Sequence, residues 1–458
     1  MPARNNLIFS EAEFELNSLK ADCPKKTCHT TIDLELQEKL RDILSRNIAF
    51  ATESGAKNGA IVVIKLPENE ILALVGSPNP KIAQDGSMIN MATEPRPIGS
   101  TVKPFIYLEG FKKGLRPYSL VDDREYKYPV SLGFPLYPKN YDGKYRGIVS
   151  LQESLSNSLN VPAVKTLEFV GLPEFYRFLE RDMMFHPIQE LESYQYGIAL
   201  GGLEMDILTL SHYLSIFPNA GTLRPLTLIK NNGKYLSPMS GADQEKKISE
   251  PEYVQLVTKI LSDRKLGVEQ FGLKSNLNLP QDNYAVKTGT SRDYHDSWTI
   301  GYTPDFLVAV WLGNAENKPL KQLSGQSGAG KIWHEAMELI INSPYNKKTP
   351  FDFARLKSLD SSGKLSYGLP GDNIEKSTNL LIERDNNLII SPHDQDNFLF
   401  SERMEIPLKS KRPAVWRANG EFLSSGQNSF FSPGKPGKYE LEASSSGEAE
   451  TIVIFVEE

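Results

Sequence analysis

The sequence predicts an α+β fold: an antiparallel sheet covered by helices, followed by a small C-terminal β-sandwich. Three observations carry this. Strand-like runs stand at both ends of the first 345 residues, at 59–76 and 284–312, with amphipathic helical stretches between them. From about Ser343 to Asp385 the composition shifts to Lys, Ser, Gly, Pro and Asp, as in a linker. Beyond it, short strand signals alternate with turns at Ala418-Asn-Gly-Glu and Pro433-Gly-Lys-Pro-Gly, a spacing that suits a sandwich. The expected divisions are 1–54 (N-terminal linker and helix), 55–345 (main domain), 346–385 (linker) and 386–458 (tail).

In chain order, apolar residues at Leu36, Leu40, Ile43 and Leu44 mark a first helix, with Thr31 as its cap and Asp33 and Glu35 in the first turn. Gly59–Leu66 and Glu70–Gly76 read as a central hairpin, apolar enough to be covered on both faces. Residues 77–98 form a polar loop that leads into a helix over Phe105, Ile106, Leu108 and Phe111. Residues 115–150 are rich in Tyr, Pro, Gly and Asp with little periodicity, and a loop this long is functional or disordered. Its tyrosines near Tyr137 suit either a groove lining or plain surface packing. A helix follows over Ser150–Leu167, with more at 173–185 and 203–217. Leu226–Leu236 reads as a hairpin around Asn231-Asn-Gly. An amphipathic helix begins at Tyr253, strands cover Tyr284–Thr288, Ser297–Tyr302 and Phe306–Leu312, and a last helix runs from Ile332 to Ile341.

A net charge of −6 leaves no basic footprint for nucleic acid and no polybasic membrane patch. No apolar run approaches the roughly 18–20 residues that span a bilayer, and Met1-Pro-Ala-Arg-Asn-Asn lacks a charged-then-apolar signal pattern. Cys23 and Cys28 suit a local disulfide in an oxidising compartment. With only His29 nearby they do not make a metal site, and neither metal nor cofactor is expected.

The chemistry gathers around Ser100 and Lys103, three residues apart at the start of the predicted helix, where i and i+3 side chains meet. A serine needs a base to become a nucleophile, and a lysine is a base only if burial or a nearby cation holds it neutral. Downstream stand Ser158-Leu-Asn160 and Lys287-Thr288-Gly289-Thr290. In one cleft, Lys287 and Lys103 would lower each other's proton affinity, Lys103 would take the Ser100 proton, and Ser158 would relay one to a leaving amine. Asn160 offers a donor and an acceptor to a substrate amide. Backbone N–H groups of Ser100 and Thr290 would form an oxyanion hole, and Thr288 and Thr290 with Lys287 suit a substrate carboxylate.

Gly325-Gln-Ser-Gly-Ala-Gly330-Lys331 imitates a phosphate loop, but Ile332 stands where Mg²⁺ needs Ser or Thr, and no parallel βαβ pattern precedes it. His334-Glu335 lacks the second histidine of a zinc-protease helix.

The triple S-x-x-K, S-x-N and K-T-G set resembles that of penicillin-binding proteins and serine β-lactamases. The surrounding residues are similar to the transpeptidase domain of class A penicillin-binding proteins: Arg96-Pro-Ile-Gly-Ser-Thr-Val-Lys-Pro-Phe, Asn140-Tyr-Asp-Gly, Ser158-Leu-Asn-Val-Pro-Ala-Val, Tyr196-Gly-Ile-Ala-Leu-Gly-Gly and Lys287-Thr-Gly-Thr-Ser-Arg-Asp-Tyr-His-Asp-Ser-Trp298. The resemblance covers residues 28–345. The tail, with Ile390-Ser-Pro-His-Asp, Val415-Trp-Arg-Ala-Asn-Gly and Pro436-Gly-Lys-Tyr-Glu-Leu, resembles the small C-terminal domain of the 1C type. The resemblance implies the penicillin-binding protein/β-lactamase-like fold and D,D-transpeptidation of peptidoglycan stem peptides through an acyl-serine. Its further implications are inhibition by β-lactams, cell-wall synthesis proteins as partners, and a location on the periplasmic side of the inner membrane. The family's membrane anchor and glycosyltransferase domain do not fit into the 28 residues before the match, so the chain looks like the C-terminal part of such a protein.

Two rivals follow from the same motifs. A class A β-lactamase needs a Glu with Asn four residues on, and no Glu between Ser158 and Lys287 has one. A D,D-carboxypeptidase would use water as acceptor, and a non-enzymatic β-lactam sensor or peptidoglycan-binding scaffold would need no turnover.

Overall fold

The computed structural model describes residues 12–18, 29–128, 136–231, 234–236, 244–361, 364–382 and 388–457. Cys23 and Cys28 lie outside them. The chain divides into two compact units: Met1–Val121 with Ile148–Leu381, and Asp122–Gly147 with Ile382–Glu458.

In the first unit, helix α1 (Leu34–Ala51) starts later than a Thr31 cap predicts. Asp33 Oδ1 accepts the Leu36 N–H at 3.1 Å, while the Thr31 hydroxyl donates to the Ile71 carbonyl at 2.7 Å. A carboxylate is the better partner for unpaired N–H groups at the positive helix end. Strands β1 (Asn58–Lys65) and β2 (Glu70–Val75) form the expected hairpin. The other main elements are α2 (Lys103–Lys112), α3 (Leu151–Ser156), α4 (Asn160–Val170), α5 (Ile207–Leu214), α6 (Pro251–Ser262), β3 (Ala285–Thr290), β4 (Asp296–Tyr302), β5 (Phe306–Gly313) and α7 (Ala329–Ile341).

The sheet is antiparallel throughout, in the order β3-β4-β5-β1-β2. The hairpin expected at its centre therefore lies to one side: β2 is an outer strand and β5, buried at every residue, is central. Apolar composition reports burial rather than neighbours, and here helices bury the outer strand as fully as the inner ones. On one face Leu40, Leu44, Ile332, Trp333 and Met337 of α1 and α7 share a core with Val63, Val308 and Val310. The alternate residues Val62, Ile64, Leu307 and Ala309 are equally buried and face the other side, where α5 crosses β1 and β5.

The stretch expected as a linker from 346 is folded into this unit as far as Leu381. Lys357–Ser361 pairs with Lys364–Gly368. Arg116 Nε meets Asp372 Oδ2 at 2.7 Å, and the Ser366 hydroxyl donates to Gln152 Oε1 at 2.8 Å. Polar bonds hold it, and an apolar pattern does not display them.

The second unit contains β6 (Ile389–Ser391), β7 (Asp396–Leu399), β8 (Ile406–Ala418), β9 (Glu421–Phe431), β10 (Gly437–Ser445) and β11 (Glu448–Glu457). Instead of two separate sheets, all six are hydrogen-bonded into one, in the order β6-β8-β10-β11-β7 with β9 also paired to β8. Long β8 makes this possible: its first half pairs with β6 and its second with β10, with an irregularity between Lys409 and Ala414. Trp416, Leu441 and Ile454 lie fully buried in its core. The tyrosine-bearing segment belongs to this unit, where Lys127 Nζ (2.6 Å) and the Tyr137 hydroxyl both donate to Asp396 Oδ1. Burial works against the Asp396 carboxylate, but hydrogen bonds from His393, Lys127 and Tyr137 hold it below the usual range.

Candidate active site

Ser100 is not in the first turn of an α-helix. Gly99–Val102 forms a 3₁₀ turn and α2 begins at Lys103. Side chains three apart eclipse in a 3₁₀ turn, which aligns Ser100 with Lys103 more closely than an α-helix does. Pro104 follows at the start of α2, where its missing N–H costs no helix bond. Gly99 has φ +56°, and a Cβ there would stand 2.6 Å from the Thr290 nitrogen and 2.7 Å from its oxygen. Only glycine lets the Ser100 turn lie against β3. Three bonds fix it: Gly99 N–H to Gly201 O (3.1 Å), Ile98 N–H to Leu203 O (2.9 Å) and Trp298 Nε1 to Pro97 O (2.9 Å).

The helix expected over Ser150–Leu167 is broken. Ser150 and Glu153 form a capping box that starts α3, and α4 begins at Asn160. Between them Ser158 takes φ +57°, a left-handed conformation that costs an L-residue about 1 kcal/mol or more. The break carries Ser158 and Asn160 to Lys103. The buried Lys103 Nζ donates to the Ser158 carbonyl (2.7 Å), the Leu159 carbonyl (3.0 Å) and Asn160 Oδ1 (2.7 Å).

Lys287 approaches Ser158 from β3. Its Nζ donates to Ser158 Oγ at 2.8 Å and to the Thr288 carbonyl at 2.7 Å. Burial, with the charge of Arg264 adding to it, lowers the Lys287 ammonium to about 7. The sequence pairs Lys287 with Lys103 as the lowering cation; the cation that acts in the structure is Arg264, in the stretch after α6.

β3 is an outer strand of its sheet. Ser291 N–H bonds the Asp296 carbonyl at 3.0 Å, so the antiparallel alternation turns the backbone N–H and C=O of Thr290 and Thr288 to the open edge. That edge meets the Ser100 turn. Lys287 and Gly289 lie on one face, where a Cβ on Gly289 would be 2.5 Å from Ile98 O. The Thr290 hydroxyl already accepts the Gly325 N–H at 3.0 Å. Hydrogen bonds thus bring Lys103, Ser158, Asn160 and Lys287 together, and the turn that carries Ser100 lies against the Lys287–Thr290 strand. Among the described residues no three His, Cys, Asp or Glu side chains gather as a metal site requires.

The sequence profile described as the penicillin binding protein transpeptidase domain matches residues 59–338. The chain belongs to this penicillin-binding protein transpeptidase family. It is 32% identical over 289 residues to penicillin-binding protein 1A of Aquifex aeolicus, covering 62% of this chain and 38% of that protein. To penicillin-binding protein 1A of Rickettsia bellii it is 25% identical over 427 residues, covering 86% and 52%. The chain therefore spans about half or less of these relatives. The solved structure of PonA1 from Mycobacterium tuberculosis superposes with TM-score 0.59 at 19% identity, covering 80% of this chain and 97% of that one. PonA1 is also solved in complex with penicillin V, at TM-score 0.58, 19% identity and coverage of 78% and 97%.

Within this transpeptidase domain, sequence reasoning missed Arg264, because a charge at the end of an amphipathic helix gives no sign of what it faces. The phosphate-loop imitation has a packing explanation. A Cβ on Gly325 would lie 2.5 Å from Trp298 O and 2.7 Å from Gly289 O, so the glycine lets the start of α7 press on β3 and β4. His334 Nδ1 meets Asn276 O at 3.0 Å, and Glu335 pairs with Arg46 and Asn47.

Proposed function

We propose that this chain is a peptidoglycan D,D-transpeptidase that works through an acyl-serine on Ser100. The observation that carries the proposal is the double anchoring of Ser158 and Asn160: Lys287 Nζ on Ser158 Oγ at 2.8 Å and Lys103 Nζ on Asn160 Oδ1 at 2.7 Å, beside the Ser100 turn. Ser100 Oγ attacks the carbonyl carbon of the penultimate D-Ala, and Lys103 in its neutral form takes the hydroxyl proton. N–H groups of Ser100 and Thr290 receive the oxyanion charge. The C–N bond to the terminal D-Ala breaks, and a proton passed through Ser158 leaves with the amine. An amine of a neighbouring stem peptide then attacks the ester, which releases Ser100 and forms the cross-link. Asn160 holds the substrate amide, and Lys287, Thr288 and Thr290 hold its terminal carboxylate.

Penicillins enter the same site as acylating inhibitors, as the PonA1 complex with penicillin V supports. The reaction would run on the periplasmic side of the inner membrane, where the family's substrate lies; among the described residues no helix is long and apolar enough to cross a membrane. The tail motifs support a 1C-type assignment beneath the family level.

Labelled penicillin tests the proposal. Mass spectrometry should find one adduct, on the peptide holding Ser100, and Ser100→Ala should abolish it. A peptide donor ending in D-Ala-D-Ala with an amine acceptor should then yield cross-linked product. An adduct elsewhere overturns the nucleophile, and hydrolysis without amine transfer overturns transpeptidation in favour of carboxypeptidase action.

A further inference from the structure

Behind the Ser158–Lys287 contact lies a narrow cavity of about 10 Å³, room for one water molecule. Ser156, Leu261, Arg264, Phe271, Lys287 and Thr288 are among its lining residues, and no carboxylate lines it. Two cations thus share one small, mostly apolar space. The guanidinium of Arg264 is held in place: Nε donates to Asn278 Oδ1 at 3.4 Å, and the group lies 5.7 Å from the Phe271 ring centre. Lys287 is 5% exposed, so water screens little of the repulsion between them.

We infer that Arg264 is a positioning residue for the acyl transfer: it acts through Lys287, its charge across the cavity keeping that lysine ready to release a proton beside Ser158. This rests on the acyl-serine reading above. The other charged or titratable groups around the pair are accounted for. From α2, Lys103 Nζ is tied to the Ser158 carbonyl. From the stretch after α6, Asp263 accepts the Lys265 N–H at 3.0 Å. Tyr284, just before β3, keeps its proton because burial raises its pKa, and it donates that proton to Leu277 O. Burial also lowers the proton affinity of Arg264, against the opposing influence of Tyr284 and Asp263.

The sign follows. Removing the Arg264 charge lets Lys287 hold its proton to higher pH, so a step that needs neutral Lys287 should lose rate on its acid side and keep it on the alkaline side. In the full chain, labelled-penicillin acylation should rise along a limb centred near 7. Arg264→Gln should move this limb up by about one pH unit, a loss of roughly tenfold at pH 6 with little change at pH 9. Arg264→Lys keeps the charge and should keep the limb. Asn278→Asp sets an anion against the guanidinium without disturbing the cavity and should move the limb in the same direction, which carries the test if Arg264→Gln does not fold. A limb unmoved in both, or a uniform loss at every pH, overturns the inference while Ser100 labelling still stands. No labelling of the parent at any pH overturns the acyl-serine reading and this inference with it.

Discussion

Gly99 is the residue on which the approach of the Ser100 turn to β3 depends. Gly99→Ala would force φ +56° on an L-residue and set a Cβ 2.6 Å from the Thr290 backbone. The strain alone is about 1–2 kcal/mol, and the turn must also withdraw from the strand. Acylation should fall by about a hundredfold, roughly 2.7 kcal/mol in barrier. Gly114→Ala, at φ +105° with nothing within 4 Å, is the control: it should lose stability and leave acylation alone. Comparing both rates with thermal midpoints decides this. Lys287 makes a second prediction at this scale. Its proton affinity is lowered to about 7 in the folded chain, whereas the unfolded chain keeps an ordinary lysine. Between those values the unfolded state binds more protons, so this group adds stability as pH rises. The stability of Lys287→Met relative to the parent should therefore be most favourable at pH 6 and decline toward pH 9 by up to about 2 kcal/mol. Denaturant unfolding at both pH values measures it, and a constant difference would mean that the lysine does not titrate there.

The break between α3 and α4, which brings Ser158 and Asn160 to Lys103, is the element the sequence hid best. Leu151, Leu155, Leu159 and Val164 keep helical spacing across it, so periodicity reads one helix over Ser150–Leu167. The positive φ of Ser158 is held by tertiary bonds from Lys103 and Lys287 that local spacing does not contain. By contrast, β3, β4, β5 and α7 were legible because their apolar runs are complete in themselves, and the five proposed catalytic residues stand out because their types and order suit one chemistry. The neighbours of each strand, the role of Arg264 and the polar docking of 346–381 were not, since each depends on what lies opposite. Left-handed strain at Ser158 predicts that Ser158→Gly is more stable than Ser158→Ala by about 1 kcal/mol, while both lose acylation. Equal stability would show that the turn relaxes. Lys103→Arg in α2 should abolish acylation, because arginine does not give up its proton, and Lys287→Arg, which cannot become neutral either, should lose the limb near pH 7. Near-parent labelling of Lys103→Arg would remove it as the base.

For the whole molecule, composition invites a cut near Ser361, inside the apparent linker. The structure predicts the opposite of a harmless deletion. Such a cut removes Asp372 from Arg116, which is 8% exposed, and leaving one member of a buried ion pair costs about 3–5 kcal/mol. The shortened chain should unfold at markedly lower denaturant than the parent, and equal midpoints would refute the docking of 346–381. The interleaving of the two units also has a consequence for synthesis. Residues 122–147 leave the ribosome early, and their partners from Ile382 onward follow only after the 234 residues of 148–381. At about 5–20 residues per second that is a wait of roughly 12–50 s. Throughout it, Lys127 and Tyr137 have no Asp396 to bind, and β5 has not yet emerged to pair with β1 for most of the same interval. A nascent chain in this window is long, rich in apolar strand and without a finished sheet, so the protein's exposure to proteases and chaperones is set by the length of its central insertion rather than by the stability of either finished unit.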